Sequence, residues 1–201
     1  MKSKSEEKKA GPATPVRERL LNSACKLFYK EGVQAVGIER LLEDADTAKA
    51  SLYSNFGSKD ALVVAYLERQ ADMARTKIEE RLSVDASARE RLMILFDTIS
   101  ETKDEDFRGC PFQNAAGELS DPTHPGRAVI ERQRQWLVKL VRSLVAEAGY
   151  ATEPMSHALI ALYDGMVAGT LVERSGASRK SARWAIERLL TESVDQVAVK
   201  H

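Results

Sequence analysis

Apolar residues recur three and four positions apart along nearly the whole chain, and no strand-like alternation of useful length interrupts them. A helix that buries one face needs this spacing, so the pattern predicts an all-α protein of about nine helices. With 201 residues, 43% of them hydrophobic, the chain is long enough to bury a sizeable core.

Glycine, proline and capping residues predict where the helices begin and end. Thr14 is the expected N-cap of the first helix, which Gly32 ends, and Gly37 opens a short second helix. Ser58 is placed to cap a long fourth helix, and Asp85 can cap the fifth. The third helix is predicted at 48–55 and the fourth at 59–82. A short helix is predicted within 111–119, and three long ones follow at 126–148, 153–175 and 178–199.

Composition narrows the class of protein. Residues 1–13 are predicted to be a disordered tail, and MKSKSEEKKA lacks the apolar core of a signal peptide. No run approaches the length of apolar residues that a membrane span needs, so we expect a cytoplasmic protein with no membrane partner. The two cysteines match no zinc spacing, and neither a metal nor a cofactor is expected.

The segment TAKASLYSNFGSKDAL, residues 47–62, predicts a helix-turn-helix. Leu52 and Phe56 are bulky and four apart, and they are expected to face a small core with Leu27, Phe28 and Leu41. The opposite face is small or polar, which lets a backbone approach base edges and phosphates. A plain helical hairpin with a solvated polar face is the alternative. Charge argues only weakly for DNA, since residues 1–60 carry 11 basic and 9 acidic side chains.

These residues resemble the N-terminal domain of the TetR family of transcription regulators. The resemblance covers roughly residues 15–66 and follows the family pattern VSKxTLYxxFxSKxxL. The residues that carry it are Gly32, Ile38, Leu52, Tyr53, Phe56, Ser58, Lys59, Ala61 and Leu62.

The resemblance implies a homodimeric repressor that reads a near-palindromic, double-stranded DNA operator and responds to a small-molecule effector. It divides the chain into a DNA-binding domain, 14–60, and a ligand-binding and dimerisation domain, 61–201. Two departures leave the operator sequence open: Asp46 stands at a turn position usually held by glycine, and Asn55 stands where histidine is frequent. The implied DNA-binding residues are Gly37, Lys49, Ala50, Ser51, Tyr53, Asn55 and Lys59.

A second segment, Arg108 to Arg127, is similar to a run in the LmrA/YxaF-like branch of the same family. Gly109 and Pro111 predict a bend before a short helix. Family members hold a mostly apolar effector among the central helices of the C-terminal domain. The alternative is that these residues are simply core. The predicted ligand-binding residues are Phe96, Phe107, Cys110, Phe112, Asn114, Trp136, Tyr163 and Met166.

The last two helices are the expected dimer surface, because they combine small and apolar residues at helical spacing. Part of this stripe is expected to face the chain's own core instead. The residues of this predicted surface are Ala158, Leu159, Leu162, Gly165, Met166, Gly169, Val172, Trp184, Leu189 and Leu190.

No catalytic residue is predicted, and we expect no enzyme. Cys110 with His124 or His157 would make a nucleophile and base, but no third orienting group is evident. Cys110 as an oxidation sensor is a further alternative, as are a transcriptional activator and an all-α interaction protein that has lost DNA binding.

Overall fold

The computed structural model describes residues 14–99 and 107–198, except for the side chains of Ile99, Thr152 and 192–198. Within these ranges every regular element is an α-helix, which confirms the predicted fold class. The helices are α1 (Val16–Glu31), α2 (Ile38–Asp44), α3 (Lys49–Phe56), α4 (Lys59–Leu82), α5 (Ala88–Ile99), α6 (Pro111–Glu118), α7 (Pro125–Glu147), α8 (Thr152–Glu173) and α9 (Ala177–Ala198). The predicted tail, 1–13, lies outside the described residues.

Two of the predicted caps are wrong. The N-cap position of α1 is Pro15, not Thr14, and its φ of −52° already suits the helix start. At α5 the cap is Ser87 rather than Asp85. The Ser87 hydroxyl accepts a hydrogen bond from the Glu90 amide at 3.2 Å, and the Glu90 carboxylate accepts one from the Ser87 amide at 2.8 Å. This reciprocal capping box satisfies two helix-end donors at once, which Asp85 alone cannot do.

The first hydrophobic core joins α1, α2, α3 and the first half of α4. Leu27, Leu41 and Leu52 are buried in it, and Phe56 packs against it, as the sequence predicts. The same core also includes Phe112 from α6 and Val129 from α7. The helix-turn-helix is therefore packed directly against the segment that follows residue 107.

The second core is built from the end of α4 together with α5, α7, α8 and α9. Helix α4 contributes Leu62 and Leu67 to the first core and Ile78 to the second, so one helix belongs to both. Helix α8 is long and apolar enough to cross a membrane by length and composition alone, with a mean hydropathy of 1.3 over an 18-residue window within Glu153–Glu173. Its apolar residues Leu159 and Met166 are buried in the second core.

The turn between α2 and α3 is fixed from α1. The Arg19 guanidinium donates to the carbonyl of Ala45 and to that of Asp46, both at 3.0 Å. Asp46 has a φ of 46°, the left-handed conformation that glycine adopts without steric cost. The aspartate at this position therefore keeps the turn of a helix-turn-helix, at the expense of some backbone strain.

Replacing Asp46 with glycine should relieve that strain. We expect Asp46→Gly to raise the free energy of unfolding by up to about 1 kcal/mol, because the left-handed penalty slightly exceeds the extra chain entropy of glycine. Asp46→Ala is the matched control and should not stabilise the protein. Denaturant unfolding of the three proteins measures the difference, and equal midpoints for the glycine and alanine variants would contradict the explanation.

Candidate functional site

Helix α3 presents a mostly small and polar face to solvent. Leu52 is fully buried beneath it, and Phe56 is half-buried with the Arg17 guanidinium 4.9 Å from the centre of its ring. Lys49, Ala50, Tyr53 and Asn55 are exposed, while Ser51 is half-buried. The predicted base-contacting and phosphate-contacting residues of α3 are therefore all at least partly accessible to solvent.

Hydrogen bonds already hold part of this face in place. The Asn55 amide donates to the Ser51 carbonyl at 2.7 Å, and the Lys49 ammonium donates to the Glu39 carboxylate on α2 at 3.2 Å. Both members of the Lys49–Glu39 pair are well exposed, so solvent weakens their attraction. Lys49 can exchange Glu39 for a more negative partner at little cost. Gly37 is exposed at the N-cap of α2, with open space where a side chain would begin.

Lys59 begins α4 directly after its cap, where the Ser58 hydroxyl accepts a hydrogen bond from the Ala61 amide at 3.0 Å. Burial lowers the pKa of Lys59, and the nearby carboxylates of Asp60 and Glu118 only partly offset this effect. Its ammonium lies 6.0 Å from the centre of the Phe28 ring. The protein thus holds a cation in a partly dehydrated position, where an added phosphate would stabilise it.

One acidic group near the turn, Asp44, is paired with a lysine of α1. Asp44 ends α2 and accepts a hydrogen bond from the Lys26 ammonium of α1 at 2.5 Å. That hydrogen bond lowers the pKa of Asp44, so the carboxylate is charged and neutralised by its partner. The negative charge that the sequence places beside the turn is therefore offset by Lys26.

A cavity of about 540 Å³ lies between the two cores, within the size range of small-molecule sites. Five of the eight predicted ligand-binding residues line it: Phe107, Cys110, Phe112, Trp136 and Tyr163. Apolar side chains from α4 and α7 complete much of its wall, among them Met73, Ile78, Ile130 and Leu137.

The other three predicted residues do not line this cavity. Phe96 is 2% exposed and packs edge-on against Tyr163, with ring centres 6.3 Å apart. Met166 is buried in the second core. Asn114 donates to the Arg108 carbonyl at 2.6 Å and so holds the bend before α6. The sequence does not distinguish these residues from those of the wall, because residue type and spacing do not show which side of a helix meets an opening.

Polar residues of the wall were not predicted. Asp164 accepts two hydrogen bonds from the Arg134 guanidinium, at 2.8 and 2.6 Å, and one from the Gln113 amide at 2.8 Å. Gln133 interrupts the apolar stripe of α7 between Val129 and Leu137. A glutamine in such a stripe is visible in the sequence, and it could have indicated a polar group on the cavity wall. Tyr29, from α1, also reaches the cavity wall.

Neither histidine named with Cys110 lies on the cavity wall as described. The ring of His124 accepts a hydrogen bond from the Gly126 amide at 3.0 Å and lies 3.4 Å from the Asp60 carboxylate. His157 is exposed, 3.7 Å from Glu153. Among the described residues, no group of three or more histidine, cysteine or acidic side chains could hold a metal ion.

Comparison with known proteins agrees with this geometry. The sequence profile of the bacterial regulatory proteins of the tetR family matches residues 20–66, the segment that forms the first core. The transcriptional regulator LmrA of Bacillus subtilis is 27% identical over 124 residues, which cover 60% of this chain and 66% of LmrA. The transcriptional repressor DhaR of Mycobacterium sp. strain GP1 is 26% identical over 171 residues, covering 81% of this chain and 85% of DhaR.

A solved structure extends the likeness over both parts of the chain. The TetR-family transcriptional regulator SCO4454 of Streptomyces coelicolor superimposes with a TM-score of 0.83 at 28% identity, over 89% of this chain and 95% of SCO4454. The α3 surface, the nine helices of residues 14–99 and 107–198, and these relatives agree, and the predicted resemblance is confirmed. The chain belongs to the TetR family of transcriptional regulators.

Proposed function

We propose that this regulator is a cytoplasmic homodimeric repressor that binds a near-palindromic operator and releases it when a small, mostly apolar effector binds. The exposed small-residue face of α3 is the observation that carries the proposal. Residues 14–60 are assigned to DNA binding, and residues 61–201 to effector binding and dimerisation. Repression is favoured over activation because DhaR, a relative across most of the chain, is named a repressor.

On the DNA, α3 acts as the recognition helix in the major groove. Lys49, Ala50 and Ser51 lie near its start, where lysine can donate to guanine and the alanine methyl can contact thymine. The phosphate contacts are assigned to Gly37, Tyr53, Asn55 and Lys59. Lys59 is the most specific of these assignments, since its dehydrated ammonium gains most from a phosphate partner.

The dimer surface is assigned to the outer faces of α8 and α9. Ala161, Gly165, Ala168 and Val172 form an exposed stripe on α8, and Val172 is 82% exposed. On α9, Trp184 is 62% exposed. A second copy covering these faces would remove a large apolar patch from water.

Several residues that the sequence predicts for this surface face inward instead. Leu159, Met166 and Leu190 are buried in the chain's own second core. Gly169 has no room for a side chain, because an added Cβ would clash with Ser178 of α9. These four residues are the part of the stripe that faces the chain's own core, and they pack α8 and α9 within one chain.

Effector binding can reach the DNA-binding surface by short routes. The Tyr29 hydroxyl donates to the Gly109 carbonyl at 3.2 Å and accepts from the Arg108 amide at 3.0 Å, so α1 is tied to the cavity wall. At the end of α6, the Glu118 carboxylate accepts from the Gln34 amide at 2.8 Å and packs against Gly32. Helix α4 gives a third route, from the cavity to Lys59.

Small displacements along these routes suffice for release. A dimer must hold its two recognition helices about one DNA turn apart, ~34–36 Å, to contact both half-sites. An effector that binds the DNA-incompetent arrangement more tightly shifts the equilibrium, with a coupling free energy of ~1–3 kcal/mol as a typical value.

Direct DNA binding tests the proposal. Fluorescence anisotropy with the duplex flanking the chain's own coding sequence should show salt-dependent binding. Lys59→Met should weaken binding to matched and scrambled duplexes alike and reduce the salt slope by about one unit, because it removes one phosphate contact. Lys49→Ala should also lose discrimination at one base pair, by ~1–3 kcal/mol.

The exposed Lys139 of α7 supplies the control, since Lys139→Met makes the same change of charge away from α3. If Lys139→Met weakens binding as much as Lys59→Met, net charge rather than a specific contact explains the loss. Salt-independent behaviour of the unaltered protein on every duplex would remove the proposed function.

Dimerisation has a separate test. Ala168→Arg should convert the dimer to a monomer, because it places an unpaired charge in each half of a buried surface at a cost of roughly 3–5 kcal/mol. Sedimentation velocity at micromolar concentration measures the change. Ala146→Arg alters an exposed alanine of α7 and should leave the dimer intact. A monomeric unaltered protein would contradict the assignment.

Cys110 is the remaining alternative means of regulation. It is a free cysteine at the N-cap of α6, and burial raises the pKa of its thiol. Since the thiolate is the reactive form, a raised pKa leaves less of it at neutral pH and disfavours rapid oxidation.

The reactivity of Cys110 follows from that pKa shift. In a Cys25→Ser background, modification by a thiol reagent at pH 7 should be slower in the native protein than in denaturant. The native rate should keep rising with pH beyond the range in which an ordinary thiol ionises. Native modification at pH 7 as fast as in denaturant would instead favour a redox-responsive regulator.

A further inference from the structure

The orientation of the Gln133 side chain is fixed by its neighbour. Gln133 is 7% exposed and lines the cavity. The Arg75 guanidinium of α4 donates to the Gln133 side-chain oxygen at 2.9 Å. Because a guanidinium has donors only, it holds the oxygen and leaves the NH₂ group for the cavity. The residues that the structure describes provide no further hydrogen-bond partner for Gln133.

A second donor lies on the neighbouring helix. Tyr163 of α8 lines the same cavity, and the described part of the chain gives its hydroxyl no hydrogen-bond partner. Burial raises the pKa of Tyr163, so the phenol stays neutral and keeps its proton at physiological pH. Two donors without a hydrogen-bond partner among the described residues thus line a mostly apolar site, where a matching acceptor on a ligand would be favoured.

The charged side chains that line the described part of the cavity already have hydrogen-bond partners. Asp164 is held by the Arg134 guanidinium and the Gln113 amide, as described above. The Lys77 ammonium donates to the Thr98 carbonyl at 3.3 Å. On this part of the wall a cationic ligand would meet only the Asp164 carboxylate, which Arg134 already pairs, and an anionic ligand would have to displace the partners of Arg134 or Lys77, which is costly in an apolar site.

We propose that the effector is an uncharged aromatic molecule bearing a hydrogen-bond acceptor oxygen, and that Gln133, oriented by Arg75, donates to that oxygen. The aromatic body contacts Phe107, Phe112 and Trp136. This inference rests on the proposed function, because it names the chemical class that the effector cavity takes. Gln133 acts as the specificity-determining residue, and Arg75 acts through it as a positioning residue.

A matched pair of uncharged probes tests the donor role. 2-Acetylnaphthalene carries a carbonyl oxygen, and 2-isopropenylnaphthalene replaces that oxygen with CH₂ at nearly the same shape. Calorimetric titration of the protein without DNA should show about tenfold tighter binding of the ketone, since a site built around a donor rejects an analogue without an acceptor. 2-Naphthoate and 2-naphthylmethylammonium should bind more weakly than the ketone.

Variants assign the preference to Gln133. Gln133→Glu keeps the shape and a partner for Arg75 but removes the donor, and Gln133→Leu removes all polarity. Both should bring the ratio of the two affinities close to one, mainly by weakening the ketone. Gln135→Leu, on the exposed side of α7, should keep the ratio. Thermal unfolding checks that each variant is folded.

The possible results separate this inference from the proposed function. Equal binding of both neutral probes, tighter binding of either charged probe, no binding of any probe, or a preference that survives Gln133→Glu would overturn the inference. Operator affinity is then measured with the bound ketone present. A ketone that binds as expected yet leaves operator affinity unchanged would refute effector-controlled release and leave the ligand class standing.

Discussion

The structure depends on one helix being shared by two hydrophobic cores. Helix α4 has 24 residues and is therefore about 36 Å long. Leu62 and Leu67 are fully buried in the core of the helix-turn-helix, while Ile78 is buried among the C-terminal helices. The first turn of α4, with Ser58 and Lys59, and the buried Ile78 near its other end therefore belong to one continuous packed helix. The contacts of Tyr29 and Glu118 bypass α4 and join residues 108–118 to α1 and to the loop that follows it.

Local sequence signals predicted most of the fold because each helix carries its own periodicity and its own ends. The α3 segment is the clearest case: Leu52 and Phe56 four apart, small residues opposite and Gly57 behind them identify the buried and the exposed faces together. The helix caps were less secure, since Asp85 and Ser87 are both good capping residues. Only the reciprocal bond with Glu90 distinguishes them, and it depends on the backbone geometry of one turn.

The polar part of the cavity could not be predicted in the same way. Arg75 and Gln133 are 58 positions apart, and Arg134 and Asp164 are 30 apart. Their pairing follows from how α4, α7 and α8 cross, which no single segment encodes. The aromatic residues are easier to predict, because four of the five predicted aromatic positions line the cavity. Phe96 and Met166 show the limit of that reasoning: an apolar residue near a pocket is more often part of the core behind it.

The close contact between Gly32 and Glu118 limits how this chain can vary. Gly32 has a φ of 100°, and a Cβ added there would lie 2.9 Å from the Glu118 carboxylate oxygens. Residue 32 must therefore adopt a positive φ, and the space beside its Cα is taken by the Glu118 carboxylate. A longer side chain at residue 32 would strain the backbone at the helix end and displace the Glu118 carboxylate that accepts a hydrogen bond from the Gln34 backbone amide. Gly32, which ends α1, is therefore also part of the contact with α6. In any exchange of domains between relatives, the end of α1 and the end of α6 have to be exchanged together.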